Sequence, residues 1–121
     1  MFQKMLQGGV GGISEVSQVF IGIHPHSSGS GYKNWEYCFI ENRDLVSYSN
    51  GTITVLKDFN GIMYFNAKGN STFKLEVNGN AIATNTKYEG IYNFHQGDTI
   101  KQQRTATTNT YDSNISIVLT E

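Results

Sequence analysis

The stretch from Thr52 to Val77 reads T-I-T-V-L-K-D-F-N-G-I-M-Y-F-N-A-K-G-N-S-T-F-K-L-E-V, and N-G-N-A-I follows it. Ile53 and Val55, then Met63, Phe65 and Ala67, then Phe73, Leu75 and Val77 fall at every second position. That period matches strands with one buried face. Asn60-Gly61, Gly69-Asn70 and Asn78-Gly79 separate or close the three runs. Asn-Gly supplies the positive φ of two-residue hairpin turns, so Gly61 and Gly79 are both expected there and the stretch reads as a meander.

Outward from this centre the alternation continues. Glu15 to Ile23 is a predicted strand with Val19, Ile21 and Ile23 on one face and Gln18 and Phe20 on the other. His24 to Lys33, with Pro25 and a Ser/Gly cluster, reads as a loop. Asn34 to Ile40 sets Trp35, Tyr37 and Phe39 against Glu36, Cys38 and Ile40. Leu45 to Tyr48 and Ala81 to Thr84 are further strands, Lys87 to Gly90 is a predicted polar turn, and Ile91 to His95 is extended. Gln96-Gly97-Asp98 turns into Thr99 to Arg104. Thr105 to Asn114 reads as a polar loop before Ser113 to Thr120, where Ile115, Ile117 and Leu119 alternate. Nine or ten short strands and no helix pattern predict an all-β sandwich of jelly-roll type. Phe65, Phe73, Leu75, Val77, Ile100, Ile115 and Ile117 are the expected core. Residues 15–121 form that domain, and residues 1–14, broken by Gly8, Gly9, Gly11 and Gly12, form a tail or a docking segment.

The 121 residues suit one domain. Only 16% are charged, against 38% hydrophobic and 12% aromatic, which fits sheets with neutral polar outer faces. Nine basic residues balance ten acidic ones, so no electrostatic pull on nucleic acid or an anionic membrane is expected. Cys38 is the only cysteine, which excludes an internal disulfide, and its aromatic run predicts a buried, inert thiol. Met1 to Leu6 is too short for a signal-peptide core and no long apolar run follows, so synthesis in the cytoplasm without membrane insertion is expected.

No Ser-His-Asp motif, phosphate loop or zinc spacing is present, so no enzymatic activity and no cofactor are expected. His24 and His26 project to one side of an extended segment. Three chains meeting on an axis would bring six imidazole nitrogens, enough for octahedral iron or nickel, whereas one chain offers a solvated loop and no metal. Lys101 and Arg104 are isolated and read as a solvated face. The tyrosines and Trp35 are too many for a small core, and amphipathic rings beside Asn, Thr and Gln suit saccharide platforms and subunit interfaces. Trp35, Tyr37, Tyr64 and Tyr92 are the candidate contacts.

Lys57 to Ala67 (K-D-F-N-G-I-M-Y-F-N-A), Phe73 to Ile82 (F-K-L-E-V-N-G-N-A-I) and Phe94 to Ile100 (F-H-Q-G-D-T-I) resemble, in that order, a pattern of small phage and prophage tail-fibre and baseplate proteins. The trimeric jelly rolls of the complement globular head and of tumour necrosis factor share a looser form of it. The opening M-F-Q-K-M-L-Q-G-G also resembles the starts of short tail proteins. Asn60 departs from the pattern, which favours Asp there. The resemblance implies a homotrimer in the virion, contacts with other tail or baseplate proteins, and host-surface recognition, with cell-surface saccharides among the receptors. It implies no catalytic residue. A monomeric carbohydrate-binding module is the alternative.

Overall fold

The computed structural model describes residues 16–27, 30–67, 73–83, 87–105 and 111–120. The glycine-rich segment 1–14 and the Gly69-Asn70 turn lie outside the described residues. Eleven strands and no helix occur among them: β1 (Val16–Ser27), β2 (Gly31–Lys33), β3 (Tyr37–Ile40), β4 (Val46–Ser49), β5 (Thr52–Val55), β6 (Phe59–Ala67), β7 (Phe73–Val77), β8 (Asn80–Ala83), β9 (Lys87–Phe94), β10 (Thr99–Arg104) and β11 (Tyr111–Thr120). Two antiparallel sheets form a sandwich. Sheet A runs β3-β1-β11-β6-β9 and sheet B runs β4-β5-β10-β7-β8, with β2 also paired to β10. This is the expected all-β jelly roll.

All seven expected core residues are buried between the sheets, with Trp35, Phe20, Met63, Phe59 and Phe94 beside them. Strand β6 alternates as read: Met63, Phe65 and Ala67 face the core, while Tyr64 and Asn66 face outward. Phe59 stacks on Phe94 with centroids 4.6 Å apart, closing the core near the β9 edge.

The connectivity of the central stretch differs from a meander. Strands β5 and β7 lie in sheet B while β6 lies in sheet A, so the chain crosses the sandwich on either side of β6. Asn60-Gly61 is not a turn; both residues sit inside β6, paired with Asn93 and Tyr92. Gly61 is needed for a different reason than positive φ: a Cβ there would come within 2.5 Å of the Val118 carbonyl oxygen. Asn78-Gly79 is the hairpin turn expected, with φ of 54° and 82° between the paired residues Val77 and Asn80.

That turn meets a second one. Asp98 accepts a hydrogen bond from the backbone N–H of His95 at 2.8 Å and another from the Asn78 side-chain amide at 2.9 Å. Asn78 Oδ1 in turn accepts the N–H of Thr99 at 2.9 Å. The V-N-G and G-D-T motifs therefore form one clasp across the β7–β8 and β9–β10 turns.

Other boundaries move for identifiable reasons. Lys87 to Gly90 is not a turn but the first half of β9, an edge strand whose charged Lys87 and Glu89 face outward while Tyr88 and Gly90 face in. Strand β11 begins at Tyr111, so the expected loop is shorter than 105–114. In β1 the register slips between Gln18 and Phe20. This bulge buries both Val19 and Phe20 and turns Ile21 and Ile23 outward, reversing the expected faces. Cys38 is exposed on the edge strand β3 and not buried.

Candidate functional site

The outer face of sheet A is the site. Cross-strand register aligns its side chains in rows. One row is Phe39, Ile21, Ser116, Tyr64 and Glu89, running across all five strands. The next is Tyr37, Ile23, Asn114, Asn66 and Lys87. On the other side of Tyr64 lie Val118, Ile62 and Ile91. Among the described residues eight large hydrophobics are exposed, and six of them (Ile21, Ile23, Tyr37, Phe39, Tyr64 and Ile91) belong to this face. Ile91 is 77% exposed and Tyr37 65%. The charges in these rows, Lys87 and Glu89, are of opposite sign and confined to the β9 edge. The other positions of these three rows are neutral, apolar at both flanks and bridged by Ser116, Asn114 and Asn66, and Asp112 adds one carboxylate beyond them on the outward side of β11.

The four candidate contacts separate. Tyr37 and Tyr64 share this outer face, three strand spacings across and two residues along the strand, roughly 16 Å apart. Tyr92 lies on the opposite side of β9: its pairing with Gly61 sets it towards the core, half-buried, its ring 4.9 Å from Phe94. Burial raises its phenol above the usual value. Trp35, only 1% exposed, is a core residue and not a surface contact. The reason is local. Residues 34–36 carry the chain from β2 in sheet B to β3 in sheet A, so the alternation that would group Trp35 with Tyr37 is broken by a bend at Glu36. The indole packs edge-on to Phe20 at 6.3 Å, and the Trp35 backbone N–H donates to the Tyr48 hydroxyl at 2.7 Å.

His24 is likewise internal. Strand β1 continues through the expected loop as far as Ser27, and the His24 side chain is buried beside Phe73. Its Nδ1 lies 2.8 Å from the Asn34 carbonyl oxygen. A carbonyl only accepts, so Nδ1 carries the proton. Burial lowers the imidazole below the usual histidine value, and the bond to Asn34 opposes that shift. Held in this way, His24 does not point into solvent as a shared ligand. The His26 side chain lies outside what is described. No group of three His, Cys, Asp or Glu suited to a metal gathers among the described residues. Arg104 and Gln102, on the inner side of β10, are fully buried, which corrects the solvated reading of Arg104; Gln102 accepts the Ser113 hydroxyl. No described helix is long and apolar enough to cross a membrane.

Tyr37 and Tyr64 stand out in the sequence as rings, whereas Phe39, Ile21, Ile23 and Ile91 join them as one surface only in the fold. The alternation carried the signal. The bulge at Val19 and the strand status of 87–90 hid it.

The comparisons with known proteins bear on the fold. The crystal structure of GITRL from bushbaby superposes with a TM-score of 0.52 at 19% identity, covering 87% of this chain and 96% of that one. The fold is a jelly roll of the tumour-necrosis-factor type. Murine APRIL overlaps less well, with a TM-score of 0.49 at 12% identity over 84% of this chain and 98% of that one. A family 35 carbohydrate-binding module from Clostridium thermocellum reaches 0.36 at 14% identity over 88% and 97%, too loose to argue from. No family model matches the sequence, and no curated protein does.

Proposed function

We propose that the chain is a non-enzymatic assembly and recognition module that forms a homotrimer through the outer face of sheet A. The observation that carries this is the concentration of exposed apolar side chains on that one face of a sandwich whose core is already closed. Large contiguous apolar surface is rare on a monomer and marks an interface. A second and third copy fit it better than an unrelated partner. The neutral parts of the rows meet on a closed symmetric axis, and the opposite charges of Lys87 and Glu89 at the β9 edge form a polar rim. Tyr64, in the middle row and 38% exposed, lies nearest the axis, its ring covered and its hydroxyl partnered across the interface.

The setting we propose is a phage or prophage tail, fibre or baseplate, where the trimer contacts other tail proteins and recognises the host surface. That part rests on the order of the sequence motifs, of which the V-N-G and G-D-T turns meet in the clasp; the fold by itself does not select a tail. Solution mass tests the trimer. A Tyr64→Asp substitution would set three carboxylates together in partly desolvated surroundings and should leave monomers. A wild-type monomer at micromolar concentration would refute the interface and leave the carbohydrate-binding module as the better reading.

A further inference from the structure

The outer face of sheet B presents a different arrangement. Strands β2 and β7 flank β10 on its two sides: Gln103 pairs with Tyr32 on one and with Lys74 on the other, while Lys101 pairs with Glu76. Tyr32 donates its O–H to Glu76 Oε1 at 2.9 Å. To reach β7 from β2 the ring must lie across β10 and cannot stand off the sheet. Lys101 Nζ sits 5.2 Å from the ring centroid. Tyr32 is nevertheless 58% exposed, whereas Glu76 is only 7% exposed.

An exposed tyrosine is ordinarily free to sample rotamers. Here the hydrogen bond and the cation fix the ring before anything binds, which removes an ordering cost from a ligand. A carboxylate is desolvated to do this on a face otherwise open to water, an expense that packing of the sandwich does not require. Around the fixed ring stand the Gln103 amide and two ammonium groups, Lys74 and Lys101, against the one carboxylate, which is already engaged.

We infer that Tyr32, with Gln103, Lys74 and Lys101, forms a binding site for a saccharide that carries a carboxylate. The apolar face of a sugar ring stacks on Tyr32, its hydroxyls exchange hydrogen bonds with the Gln103 amide, and its carboxylate takes charge-assisted hydrogen bonds from the lysines. Binding alone is involved, with no covalent step. The site rests on the reading of the chain as a recognition module for its purpose only: it is complete within one protomer, on the sheet opposite the proposed interface. In a trimer it occurs three times, which suits weak sites acting together on a glycan-covered surface.

The test is a titration of the isotope-labelled full chain, followed by amide NMR, with 3′-sialyllactose, a hyaluronan tetrasaccharide and a galacturonate trimer, and with lactose as the uncharged comparison. At least one acidic saccharide should shift the Tyr32, Lys101 and Gln103 amides below ~10 mM, with lactose at least about tenfold weaker. Tyr32→Ala, at an exposed position that spares the core, should abolish the shifts. Glu76→Gln keeps an acceptor for the tyrosine, removes a negative charge and should tighten binding. Absence of shifts with all three acidic probes, equal binding of lactose, or shifts that persist in Tyr32→Ala would each overturn the site. The mass of the same sample reports the oligomer separately, so failure here and failure of the trimer are distinguishable.

Discussion

Removing the Asp98 carboxylate tests whether the two turn motifs act as one clasp. Asp98→Ala deletes the bonds to the His95 N–H and to the Asn78 amide. Net contributions of hydrogen bonds to charged groups run at about 1.5–3 kcal/mol, and solvent exposure at this end of the sandwich lowers that to about 1 kcal/mol each. The loss should therefore be about 2 kcal/mol, or roughly 8 °C in melting temperature for a domain of this size. Asp98→Asn keeps one acceptor and should lose about half as much. Asn78→Ala removes the shared bond together with the one to Thr99. The double variant should then fall short of the sum by roughly 0.5–1 kcal/mol, a coupling expected of groups in one network. Urea denaturation of the four proteins provides the cycle. Additive losses, or an Asp98→Ala change within about 0.5 kcal/mol, would show that the motifs are independent turns.

Gly61→Ala should destabilise by about 1–3 kcal/mol through the clash with the Val118 carbonyl, and Gly79→Ala by about 1–2 kcal/mol through backbone strain alone, both read from chemical denaturation. Equal tolerance of alanine at both would refute these separate causes. Phe73→Ala, at a fully buried ring, should cost about 3–5 kcal/mol, and a change below 1 kcal/mol would place that ring outside the core. His24 contributes a pH dependence. Because burial depresses its pKa, the folded protein binds fewer protons than the unfolded chain, so stability is complete above the unfolded value of 6.5 and is lost as pH falls from there through the folded value. Each unit of depression is worth about 1.4 kcal/mol, and His24→Gln should flatten this part of the profile. An unchanged slope in that variant would assign the acid sensitivity elsewhere.

What was legible in the sequence was whatever the two-residue period alone determines. Met63, Phe65 and Ala67 face inward because alternate side chains of a strand must diverge, and no tertiary event intervenes in β6. Gly61 was misread because Asn-Gly carries the same local signal wherever it occurs; only the approach of Val118, 57 positions later in the chain, shows that glycine is needed for closeness there. Trp35 shares the parity of Tyr37, yet a crossing between sheets starts at β2, and periodicity does not survive a bend. Lys87 to Gly90 looked like a turn because edge strands carry charge by design. His24 beside Pro25 looked like a loop because its anchor is a backbone carbonyl, which leaves no mark in the residue pattern. Of the interface, Tyr37 and Tyr64 were visible as rings, while the surrounding isoleucines became one surface only once the bulge at Val19 set the register of β1.

Sedimentation equilibrium of the full chain at micromolar concentration tests the assembly most directly. A homotrimer has a mass of about 40 kDa, three copies of 13.5 kDa, and this mass should fall to a single copy when Tyr64 is replaced by Asp. A single-copy mass for the unaltered protein, or a trimer that survives Tyr64→Asp, would contradict that assembly.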